Sequence, residues 1–110
     1  MESLTRNDGV HGVGAVLLKN PRALALAKKV CWWKTPDAVL RDPVFFLNQA
    51  MMYANFEEGL WLEKSVGRDA LREALDAAPP GIHDERSWRY WRVRLDLDPD
   101  TPLPERRIPK

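Results

Sequence analysis

The sequence is poor in the residues that most often carry chemistry. Cys31 is the only cysteine, which excludes an intramolecular disulfide framework and points to a reducing compartment, the cytoplasm. His11 and His83 are the only histidines, and neither has a second metal-ligating side chain at the short spacing that zinc sites use, so no metal and no cofactor is expected. Charge of one sign is also missing: 17 basic residues against 16 acidic ones leave a net charge of +1. A near-neutral chain has no global field for nucleic acid or an anionic membrane, so any electrostatic case is local. Long apolar runs are absent too, because Val13 to Leu18 is too short for a signal-peptide core or a membrane span.

What is present describes one small helical domain. A chain of 110 residues can bury one core, and an apolar share of 45% is ordinary for a folded protein. Five tryptophans add large buried rings to a modest length. The expected fold is all-α: a bundle of four to six helices around one apolar helix, with an extended Pro-rich tail. Residues 1–14 read as a flexible arm, 15–97 as the domain and 98–110 as the tail, where Pro99, Pro102, Pro104 and Pro109 forbid regular helix. The Gly9, Gly12 and Gly14 spacing imitates a phosphate loop, but no lysine followed by Ser or Thr closes it.

The organising helix is expected over residues 43–54, with Asp42 as its cap and Pro43 at its first position. On a wheel of about 100° per residue, Phe46, Leu47, Ala50, Met51 and Ala54 share one face, while Phe45 and Met52 fall outside it. Asn20-Pro21 opens an earlier helix to Val30, with Leu24, Ala27 and Lys28 on successive turns, and Thr35-Pro36 opens a short one. Cys31 beside Trp32 and Trp33 reads as a core thiol, and the paired indoles as rings sealing the core edge.

Downstream, Asn55 and Glu58 form a capping box for a helix whose buried arc is Phe56, Leu60, Leu62 and Val66, ended by Gly67. Trp61 falls opposite that arc. Leu71, Ala74, Leu75 and Ala78 mark the helix over 68–78, which Pro79-Pro80-Gly81 stops, and Trp88, Trp91 and Leu95 the inner face of a last helix capped by Asp84. Its other side gathers Arg86, Arg89, Tyr90 and Arg94, either a solvated face or a surface for phosphates or an acidic partner. His83, Asp84 and Ser87 are neighbours, but Asp84 is more simply a helix cap, so no catalytic set is assigned.

Three stretches together carry a resemblance: Trp32-Trp33 through Leu40-Arg41-Asp42-Pro43, then Gly67-Arg68-Asp69-Ala70-Leu71-Arg72-Glu73-Ala74-Leu75, then Ser87-Trp88-Arg89-Tyr90-Trp91. They resemble small bacterial helical proteins encoded beside nucleotidyltransferase-like toxins of the abortive-infection type, over residues 32–97. What the resemblance implies is a non-enzymatic, antitoxin-like partner of a toxin-like enzyme. Read from the residues alone, Phe45, Met52 and Trp61 are surplus apolar groups for a protein partner or self-association. Two rival readings stand beside this one. One is a helix-turn-helix-like nucleic-acid binder using 68–78 and 84–95, with weak binding expected; the other is a homo-oligomer built on the apolar helix.

Overall fold

Three Pro-led junctions set up the first half of the chain. In the computed structural model, which describes residues 17 and 19–104, Asn20-Pro21, Thr35-Pro36 and Asp42-Pro43 each place a capping side chain before a proline at the first helical position. They open α1 (Pro21–Val30), α2 (Pro36–Leu40) and α3 (Pro43–Tyr53). Asn20 Oδ1 accepts from the Arg22 and Ala23 amides, Thr35 Oγ1 from Ala38 and Asp42 Oδ1 from Phe45. The expected arm over 1–14 and the end of the tail beyond Pro104 lie outside the described residues.

Three more helices follow: α4 (Phe56–Val66), α5 (Arg68–Asp76) and α6 (Glu85–Arg94). The Asn55–Glu58 capping box is closed from both sides, each bond 2.8 Å long. Gly67 ends α4 and begins α5 with φ 89° and ψ 156°, a conformation almost confined to glycine. Asp84 caps α6 through the Ser87 amide. Among the described residues there is no strand, and no helix is long and apolar enough to cross a membrane. The fold is all-α and compact, with a radius of gyration of 13.6 Å.

α3 packs against α1, α2, α5 and α6. Phe46, Leu47, Ala50 and Met51 are buried, as the wheel predicts, but so are the amides Asn48 and Gln49 between them. Their burial is tolerable because both are satisfied. Asn48 Nδ2 donates to the Val44 and Ala74 carbonyls at 2.8 Å each, and Gln49 Nε2 to the Val30 carbonyl at 3.1 Å. Gln49 thereby satisfies a carbonyl that the end of α1 leaves without a helical partner. It also lies 3.4 Å from Cys31 Sγ, whose pKa burial pushes up, so this thiol is a weak nucleophile.

Other helix ends are closed in the same way by distant side chains. Trp91 Nε1 donates to the Met51 carbonyl at 2.8 Å, and Arg72 Nε to the Leu95 carbonyl at 2.7 Å. After α6 the chain turns at Asp96, which takes φ 60° while Asp96 and Leu97 donate back to Val93 and Arg92. That pairing is a Schellman motif with aspartate in the usual place of glycine. The Asp96 carboxylate meets Arg68 at 2.8 Å. Beyond it, the Asp98 and Thr101 carbonyls accept from Arg92 Nε and Trp88 Nε1, and Leu103 packs on the core.

Three expectations about faces are corrected. α1 buries Ala23, Leu26, Ala27 and Val30, while Leu24 is only half-covered and Lys28 is exposed, because the small side chains let α2 and α3 come close. Phe56, placed in the buried arc of α4, is 67% exposed, since it stands on the first turn where no other element covers it. Trp32 and Trp33 do not seal the core: they are 79% and 54% exposed and meet edge to face in the turn after α1.

Candidate functional site

The end of α3, the start of α4 and the outer side of α6 enclose a cavity of about 390 Å³. Its floor is apolar: Met51, Met52, Gly59, Leu60 and Trp91. Gly59 faces the Trp91 ring, and a β-carbon there would stand 3.6 Å from it, an ordinary van der Waals contact. The indole N–H is already spent on the Met51 carbonyl. Phe56 and Tyr90, both exposed, form the apolar part of the rim.

The rest of the lining is mainly polar, with Asn55, Asp84 and Ser87 beside the cations Arg86 and Arg94. Arg86, Tyr90 and Arg94 line both this cavity and an adjoining open trough along α6, to which Arg68, Arg89 and Val93 also belong. The cations differ in how far their charge is already used. Arg94 Nε meets Glu63 at 2.8 Å, Arg68 meets Asp96 at 2.8 Å, and exposed Arg89 stands 3.7 Å from Asp100. Arg86 has no ion-pair partner among the described residues, and it sits where cavity and trough join.

Ser87 lines the same cavity, and behind it lies a buried polar relay. His83 is 7% exposed, with Nδ1 2.9 Å from Ser87 Oγ and Nε2 2.8 Å from Asn48 Oδ1. Because Asn48 Nδ2 is committed to two carbonyls, its oxygen must face the imidazole, so Nε2 carries the proton. Nδ1 is then an acceptor for the Ser87 hydroxyl. Burial pulls the His83 pKa down to about 4, against a small opposing effect of Asp84. Such an imidazole is a poor base near neutrality, and the relay reads as a tie between α3, α5 and α6. Among the described residues there is no group of three or more side chains suited to a metal ion.

Of the residues singled out from sequence, Arg86, Arg89, Tyr90 and Arg94 come together on this site, and Met52 joins them from α3. Phe45 and Trp61 do not line it. Both are half-buried against the core, with Lys34 4.8 Å above the Phe45 ring and Arg22 5.0 Å from the Trp61 ring centre. Phe56, Gly59 and Trp91 are the members that sequence reasoning missed. A signal existed for Gly59 alone: a glycine inside a helix costs about 1 kcal/mol against alanine and often marks a close approach. No protein-family model, curated protein or solved structure matches this chain.

Proposed function

We propose that this chain is a non-enzymatic protein-interaction module, the antitoxin-like partner of a nucleotidyltransferase-type toxin, and that the groove between α3, α4 and α6 receives that partner. The observation that carries the interaction is the gathering of exposed Phe56 and Tyr90 over an apolar concavity. Scattered surface apolar groups need no explanation, but aromatic groups clustered round a pocket of this size are what recognition uses. Non-enzymatic action is supported by the depressed basicity of His83, which leaves Ser87 without a strong base. The identity of the partner as a toxin rests on the resemblance over residues 32–97.

The rival readings draw less support. α3, on which a homo-oligomer would be built, has most of its surface covered by its own chain, with Tyr53 its only fully exposed residue. In the helix-turn-helix reading, the connection from Ala77 to Asp84 is long, and α6 spends Trp88, Trp91 and Arg92 on the interior.

The test places a photo-crosslinking side chain at Phe56 in the full chain, co-expressed with the product of the adjoining gene, which this reading requires to be a nucleotidyltransferase-type enzyme. One adduct with that enzyme is expected from Phe56, and none from the exposed Ala25 on α1. Neutralisation of toxicity should fail for the Phe56→Ser/Tyr90→Ala pair and survive Trp32→Ala. Equal crosslinking from both positions, or neutralisation untouched by the double change, sinks the reading.

A further inference from the structure

Resting on that reading, we infer that the occupant of the groove is an extended acidic segment of the partner, with one large apolar side chain in the cavity and carboxylates following it along the α6 trough. The cavity sets the anchor. Its roughly 390 Å³ and flexible Met51 and Met52 walls suit one large aliphatic or aromatic group, and Trp91, with its N–H spent, offers that group no hydrogen bond.

The trough sets the charge and the spacing. It runs along α6 from Arg86 to Arg94, eight residues, or about 12 Å at the helical rise. An extended strand covers that length in about four residues, so the carboxylates belong within two to four positions of the anchor. Arg86, without an ion-pair partner among the described residues, takes the first of them, and the exposed Arg89 the next. Among the described residues, Asp84 is the only acidic one lining either part, so the complementary surface is negative.

A nucleic-acid chain fits less well. Its phosphates need several uncommitted cations, whereas Arg68 and Arg94 are held by Asp96 and Glu63.

Fluorescence anisotropy with short labelled peptides decides the matter. The probe is a Gly/Ala peptide carrying one tryptophan followed by three glutamates; its comparisons are the tryptophan-to-alanine peptide, the glutamate-to-lysine peptide and oligothymidine. The acidic anchored peptide should bind the wild-type chain, and each comparison peptide about tenfold or more weaker, as expected for loss of one charge-assisted contact or one buried ring. Arg86→Ala should weaken the acidic peptide by a similar factor and Arg41→Ala, exposed on the end of α2, should not. Equal binding of the lysine peptide, tighter binding of oligothymidine, or indifference to Arg86→Ala overturns the inference. If no peptide binds while crosslinking from Phe56 still captures the enzyme, the acidic occupant is wrong and the docking groove stands. Loss of both removes the groove as well.

Discussion

Asn48 on α3 and His83, 35 residues later, face each other across 2.8 Å in the interior, and the two amide donors of Asn48 determine which imidazole nitrogen holds the proton. Replacing Asn48 by alanine strands the His83 Nε2–H and removes a donor from the Ala74 carbonyl. The expected cost is about 2–4 kcal/mol, the sum of an unsatisfied buried donor and a small cavity. Urea denaturation measures it, and a loss under about 0.5 kcal/mol would mean that the relay holds nothing together.

The same histidine makes stability depend on pH. Its folded pKa lies near 4, below the ordinary 6.5, so between these values the unfolded chain binds a proton that the folded chain refuses. The stability from this group is complete above pH 6.5 and declines as the pH falls towards 4, by an amount on the order of 3 kcal/mol. Urea midpoints for the wild type and His83→Gln should therefore converge on acidification. Parallel curves would place the titration elsewhere.

Trp88 is buried and hangs residues 98–104 on α6 through its 2.8 Å bond to the Thr101 carbonyl. Trp88→Ala should lower stability by about 3–5 kcal/mol, as for other buried aromatic truncations. Trp88→Phe keeps most of the ring and loses the bond, so it should cost about 1 kcal/mol and speed amide exchange chiefly over residues 98–104. Unchanged exchange there would show that Leu103 and the Arg92 bond to the Asp98 carbonyl secure the segment without it.

Gly67 is the hinge of the α4–α5 corner, and its dihedral angles leave no room for a β-carbon without strain even though the space around it is open. Gly67→Ala should destabilise by about 1–3 kcal/mol, read as a fall in melting temperature. Steric crowding cannot be the cause, so a neutral outcome would mean that the corner relaxes to a negative φ.

The helix starts were legible because their signals are local. Asn20-Pro21, Thr35-Pro36, Asp42-Pro43 and the Asn55–Glu58 box each act within one turn. Several helix ends were not, since Gln49, Trp91 and Arg72 close carbonyls that lie 19, 40 and 23 residues away in the chain. Coverage was illegible for a related reason. A wheel ranks the faces of one helix, but it does not say where a neighbour stops, which is why Phe56 emerged at the groove and Trp61 found Arg22. The cationic side of α6 could be read as a surface; the concavity beside it needed Gly59 and Trp91 to meet from separate helices.

Glu63 gives the groove a resident rival. Its carboxylate already engages Arg94 at 2.8 Å and Arg68 at 3.7 Å, so an incoming acid at that end of the trough competes with a group that is always present at effectively high concentration. A partner with a lone carboxylate gains little there, whereas one that also fills the cavity and reaches Arg86 does not depend on winning that contest. On the proposal of an acidic occupant, selectivity for a multiply anchored segment would be set by this intramolecular ion pair, and Glu63→Gln would loosen the fold while making the groove less discriminating.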